Sequence, residues 1–189
     1  TYNLSSGGQD MPPGAESGIL FPEELFDYEW FEHKALFEGI GYVWEALTRL
    51  GDYIAAYLDR PHHHGYATVM QGAIVGADVV LGADVVVEPH TYIKGPALTG
   101  DRTLIRHGAY IREHVIIGRD CVIGNSTEVK HSILMDGAKA SHWNYVGDSI
   151  IGLHVNLGAG VKLSNRKITD AEITVRDVAG QPYATGLKK

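Results

Sequence analysis

Residues 69–87 read VMQGAIVGADVVLGADVVV, and within them Val69, Val75, Leu81 and Val87 recur at every sixth position. The same step continues through Ile93, Thr99, Ile105, Ile111, Ile117, Ile123, Val129 and Met135, all apolar except Thr99. Four residues after each of these up to Val129 stands a small or β-branched side chain: Ala73, Val79, Val85, Thr91, Ala97, Thr103, Ala109, Val115, Cys121, Thr127 and Ile133. A strict period of six is neither helical nor that of an ordinary strand; it is the mark of a parallel β-helix. Each hexad makes one short strand and one turn, and three hexads close a triangular coil. The large aliphatic residue stacks on its equivalent in the next coil, and the smaller one takes the tighter inner position. Gly76 to Asp78, Gly82 to Asp84 and Gly118 to Asp120 supply turns with unusual backbone angles. The pattern predicts about five coils over residues 69–163, with Val75, Val87, Ile105, Ile111, Ile117 and Ile123 inside.

Working outward, residues 65–167 form the solenoid domain, preceded by a different kind of sequence. Residues 1–17 are rich in Gly, Ser and Pro and predict a mobile arm. Residues 18–64 hold an aromatic segment (Phe21, Phe26, Tyr28, Trp30, Phe31, Phe37) and an amphipathic helix over Tyr42 to Arg60. The helix shows Trp44, Leu47, Leu50, Ile54 and Leu58 at steps of three and four, tolerates Gly51, and stops at Pro61. The aromatic segment is too apolar to float free and is expected to pack on the next element or on a partner subunit. His62, His63 and His64 point in different directions as neighbours, which predicts a linker rather than a metal site. At Ser141 the hexad register breaks, to resume at Tyr145, Ile151, Leu157 and Leu163. Interruptions on a rigid scaffold are where sites tend to be built. Residues 168–189 read as a C-terminal extension or the cut end of further coils, with a strand expected around Ala171 to Val175.

With 189 residues the chain can bury a real core. Its formal charge of −7 and pI near 5.7 argue against a nucleic-acid binder, which would carry a basic face. No apolar run approaches the ~20 residues of a membrane span, and no segment resembles a secretory signal. Cys121, the single cysteine, falls at an inner hexad position and reads as a buried structural thiol. A reducing cytoplasm is the default.

The register break contains Lys139 to Asp148, with His142-Trp143-Asn144-Tyr145-Val146-Gly147-Asp148 at its heart, followed by Ile151 to Gly160 and then Asn165. This stretch resembles the acetyltransferase half of the bifunctional enzymes that make UDP-N-acetylglucosamine from glucosamine-1-phosphate. Those enzymes carry His-x-x-Tyr-x-Gly-Asp, then Ile-Gly-x-x-Val-Asn-Ile-Gly-Ala-Gly, then an Asn. The similarity runs back without gaps through Glu128-Val129-Lys130 and Gly124-Asn125 to Arg112, covering roughly residues 110–165. The resemblance implies a left-handed β-helix and a homotrimer with flat prism faces packed round a three-fold axis. It implies transfer of an acetyl group from acetyl-CoA to the amine of an amino-sugar phosphate. It makes His142 the general base with Glu128 orienting its ring, and puts Asn165 near the reacting amine. Arg112, Lys130 and Tyr145 would contact the phosphate and sugar, Asn156 the sugar hydroxyls, and Ala159 the acyl-thioester arm. The chemistry suits these types, because a histidine titrates near working pH and a phosphate needs cations.

Read alone, each residue has a plainer role. Arg112 and Lys130 could be solvated outer-face charges, Tyr145 sits at an inward hexad position and could be core, and Asn156 could be a turn residue. Another hexad protein with a metal, the γ-class carbonic anhydrase, needs a His pair five apart, which His107, His114, His131, His142 and His154 do not supply; no metal site is expected. The chain also departs from the resembling family. It has no nucleotidyltransferase half, Arg166-Lys167 stands where that family has Tyr-Asp-Gly, and a further phosphate lysine falls on Ala171. The later coils that hold much of the coenzyme A site in that family are not expected within these 189 residues, so either the chain is a truncated piece or its thioester site is incomplete. The rival expectation is therefore a non-catalytic hexad module, for assembly or regulation, in a sugar-1-phosphate nucleotidyltransferase-like protein.

Overall fold

A computed structural model describes residues 20–60 and 66–189. The expected arm and the three-histidine linker lie outside the described residues. A short helix α1 (Pro22–Leu25) and a longer α2 (Glu45–Leu58) precede the solenoid. Coil one contains β1 (Thr68–Val69), β2 (Ile74–Val75) and β3 (Val79–Leu81), and coil two β4 (Val86–Val87), β5 (Tyr92–Ile93) and β6 (Ala97–Thr99). Coil three has β7 (Leu104–Ile105), β8 (Tyr110–Ile111) and β9 (Val115–Ile117), and coil four β10 (Val122–Asn125), β11 (Glu128–Lys130) and β12 (Ser132–Leu134). Coil five has β13 (Lys139–His142), β14 (Tyr145–Gly147) and β15 (Ile150–Ile151), and β16 (Asn156–Leu157) and β17 (Lys162–Leu163) begin a sixth. Every third strand pairs in parallel, so β1 to β16 build a first sheet, β2 to β17 a second and β3 to β15 a third. The result is the parallel β-helix expected from the period, in keeping with the left-handed coil that the resemblance implies.

The interior is the stack predicted from the hexads: Val87, Ile105, Ile111, Ile117 and Ile123 are all fully buried. Polar inner residues are satisfied locally. Thr91, Thr103 and Thr127 donate their hydroxyls to the carbonyls of Arg106, Gly118 and Ala140 at 2.8–3.0 Å. Cys121 is buried as expected, and burial pushes its thiol up to about 12, so it stays protonated. Turns between sheets are columns of left-handed residues. Asp84, Arg102, Asp120, Gly137 and His154 stack between the third and first sheets. Gly72, His90, Gly108, Ser126, Trp143 and Gly160 stack between the first and second. Gly95, His114, His131 and Asp148 stack between the second and third. Glycine and the short polar residues tolerate this region best; Trp143, at φ 51°, is the costly member.

The register break does not fall at Ser141. Ile111 lies opposite Val129, but Ile117 lies opposite Leu134, so one residue is lost between Val129 and Leu134. Leu134 joins the interior, whereas Ile133 and Met135, both expected inside or in phase, pack in the outer cluster. A second residue is lost between Val146 and Ile151. Val146 is the buried inner residue, and Tyr145 points outward, half-buried, which removes its reading as core.

The outer face of the third sheet is an apolar ladder of Val80, Leu98, Ile116, Ile133 and Ile150. Leu47, Leu50 and Ile54 of α2, with Phe31, Leu36 and Phe37, cover it. The aromatic segment thus packs on the next element of its own chain. Gly51 faces this contact, where an added Cβ would lie 3.6 Å from the His114 ring, an ordinary van der Waals distance. After the solenoid, β18 (Thr174–Arg176) and β19 (Pro182–Ala184) form an antiparallel hairpin, overlapping the strand expected near Ala171 to Val175. No helix among the described residues is long and apolar enough to cross a membrane.

Candidate functional site

The second sheet presents an outward row of Tyr92, Tyr110, Glu128, Tyr145 and Lys162, one residue per coil. Arg112 and Lys130 stand one step along the same face, because outward positions alternate with the buried Ile111 and Val129. Four of the expected site residues therefore share one surface: Arg112, Glu128, Lys130 and Tyr145.

Their contacts differ from the expectation. The Glu128 carboxylate accepts from Arg112 Nη1 at 3.0 Å, rather than meeting the His142 ring. Arg112 Nη2 also donates to Glu113 at 3.4 Å, and its Nε is buried without a partner among the described residues. The bond to Glu128 raises the Arg112 pKa, so the guanidinium is permanently charged. Glu113 in turn accepts from Lys94 at 3.2 Å.

His142 ends β13 at the edge between the first and second sheets, exposed, opposite Asn125. Its ring makes no hydrogen bond among the described residues. The position is held through the backbone: His142 N–H donates to Asn144 Oδ1 at 3.1 Å. Asn144 is buried, donates Nδ2 to the Gly158 carbonyl at 2.7 Å, and donates its backbone N–H to Thr127 Oγ1 at 3.2 Å. Sequence reasoning passed over Asn144, the buried amide that pins the His142 backbone. Asn156 is exposed on β16 beside Lys139, on the first sheet, and Ala159 lies in the following turn, also exposed.

Asn165 lies elsewhere, at the edge between the second and third sheets, where its amide donates to Asp148 Oδ2. His131 Nδ1 meets Asp148 Oδ1 at 2.7 Å, and Lys130 Nζ stands 3.9 Å from Asp148 Oδ2. The Asp148 side chain is 3% exposed. Burial alone would raise its pKa; the bonds from His131 and Asn165 and the Lys130 charge outweigh burial and lower it. The structure thus gathers Lys130 and Asn165 round an unforeseen pair, His131–Asp148, and leaves His142 and Asn156 apart from it. Among the described residues no group of three or more His, Cys, Asp or Glu could hold a metal ion.

A family model described as the GMPPB C-terminal domain matches residues 93–179. The bifunctional sugar-1-phosphate nucleotidylyltransferase/acetyltransferase of Sulfurisphaera tokodaii is 37% identical over 111 residues, covering 59% of this chain and 27% of that protein. The bifunctional protein GlmU of Acidovorax sp. (strain JS42) is 40% identical over 109 residues, covering 53% of this chain and 23% of that protein. The chain spans about a quarter of the length of these relatives. Among solved structures, the acetyltransferase domain of PglB from Neisseria gonorrhoeae FA1090 in complex with acetyl coenzyme A aligns with a TM-score of 0.38. That alignment is 17% identical and covers 48% of this chain and 50% of that one.

Proposed function

We propose that this chain, which resembles the hexapeptide-repeat acyltransferases and within them the acetyltransferase part of the bifunctional GlmU proteins, takes part in acetyl transfer from acetyl-CoA to the amine of an amino-sugar phosphate. What supports the reading most is that the matched Arg112, Glu128, Lys130 and Tyr145 share one outer face, with the unbonded His142 ring at its edge. In the step, the amine nitrogen attacks the thioester carbonyl, the C–N bond forms, the C–S bond breaks and the thiolate of coenzyme A leaves. His142 takes the nitrogen's proton. Lys130 and Arg112 hold the phosphate, Tyr145 and Asn156 the sugar, Asn165 lies toward the amine, and Ala159 meets the thioester arm. Glu128 acts on the site through Arg112.

These residues lie on two sheets and two edges of one prism, which suits a cleft shared between subunits. The third sheet is covered by α2, and among the described residues the first and second are left open to neighbouring copies. Half-buried Val86, Leu104 and Val122 on the first sheet and exposed Ile74 and Tyr92 on the second give that contact an apolar component. The closed homotrimer that the resemblance implies would suit these faces, since a face-to-other-face contact that does not close propagates as a filament. Light scattering at micromolar concentration is expected to return the mass of three chains; a stable monomer overturns the arrangement.

Arg112 sits between two carboxylates, which favours a second reading, a non-catalytic hexad module serving assembly. Thiol release decides between them. Acetyl-CoA with glucosamine-1-phosphate or related amino-sugar phosphates is expected to yield free coenzyme A in proportion to protein. No release across the panel leaves the module reading.

A further inference from the structure

We propose that His131, hydrogen-bonded to the buried Asp148, is a phosphate-binding residue of this site that takes up a proton when a sugar phosphate docks beside Lys130. The inference rests on the functional reading above and names the part of the site that recognises the phosphate.

Arg112 faces Glu128 at 3.0 Å and Glu113 at 3.4 Å, so the guanidinium that helps hold the phosphate is shared with two carboxylates. Lys130 is different. Its ammonium is 3.9 Å from Asp148, too far for a good hydrogen bond, and its donors stay available to an incoming oxygen. Asp148 stays ionised, since His131 and Asn165 both donate to it and Lys130 stands near. Lys130 and Asp148 oppose each other in charge, so a phosphate dianion at this edge gains from a further donor.

His131 supplies that donor. Against a carboxylate its Nδ1 must carry the proton, which leaves Nε2 as the free nitrogen of a fixed ring. That nitrogen has no partner among the described residues, and the side chain is 29% exposed. A dianion arriving at Lys130 draws a proton onto Nε2, and the resulting imidazolium donates to the phosphate while Asp148 balances it from behind. The other charged or titratable neighbours are the His114 ring, edge-on at 6.1 Å, and Glu113, held by Lys94 and Arg112. The placement comes from the backbone. His131 and Asp148 each occupy one of the two shortened five-residue steps, both left-handed at φ 44° and 47°, so they stack directly in adjacent coils.

Calorimetry on the intact protein tests this, with glucosamine-1-phosphate titrated near pH 7 in two buffers of different ionisation enthalpy. The wild type is expected to take up a fraction of a proton on binding, and unphosphorylated glucosamine to cause none. His131→Asn keeps a side chain that accepts a left-handed backbone. It is expected to melt like the wild type, lose the proton uptake and bind the sugar phosphate roughly tenfold more weakly. Equal uptake and affinity in this variant overturn the inference. A wild type with His131-dependent uptake but no thiol release keeps the phosphate site and removes the acetyl-transfer reading. A wild type that binds no sugar phosphate overturns both.

Discussion

His142→Ala is expected to slow acetyl transfer by about 10²–10⁴-fold, the usual cost of losing a positioned base, with affinity for the amino-sugar phosphate largely kept. Truncation should do little to the fold. The ring is exposed and makes no hydrogen bond among the described residues, and the backbone stays pinned by Asn144 and paired with Asn125. An exposed change of this kind typically moves stability by no more than about 0.5 kcal/mol. The loss should therefore appear in turnover, read as thiol release under saturating acetyl-CoA, with calorimetric binding as the comparison. Lys130→Ala should do the reverse, weakening sugar-phosphate binding by removing a charge partner. Undiminished turnover with alanine at 142 removes the catalytic reading and leaves the assembly module.

Much of this architecture is legible in the sequence, because a period of six admits few folds and each inner residue is named by its phase. Val87, Ile105 and Ile123 needed only counting. The phase fails where three aliphatic residues stand together: Ile133, Leu134 and Met135 are equally fit to fill the interior. Strand pairing alone shows that Leu134 does so. Counting sixes onward then put Tyr145 inside and the break at Ser141, whereas Val146 is buried and the shortened steps flank that segment. The same slip hid His131–Asp148, since two residues seventeen apart stack only once a residue has been lost. The outward face carrying Arg112, Glu128, Lys130 and Tyr145 was readable by residue type. The partner of Glu128 was not, because a carboxylate beside an arginine and a histidine is claimed by the one that geometry brings nearer.

Gly124→Ala is expected to be the most damaging single methyl in the solenoid. A Cβ at this position would lie 1.7 Å from the Ser141 carbonyl oxygen and 2.1 Å from its carbon. Those atoms belong to the neighbouring coil's backbone, so no side-chain rotation relieves the overlap. The strands β10 and β13 must part where Asn125 and His142 pair, and the interior seam between Ile123 and Ala140 opens with them. Losses of more than about 4–5 kcal/mol are exceptional for one substitution and belong to overpacking of this kind. The expected outcome is a chain that fails to fold or melts far below the wild type in thermal or denaturant unfolding. Gly158→Ala is the control, since nothing lies within 4 Å of its added Cβ; it should stay within about 0.5 kcal/mol of the wild type. Should both variants melt alike, the close crossing of coils four and five at Gly124 is not what limits stability here.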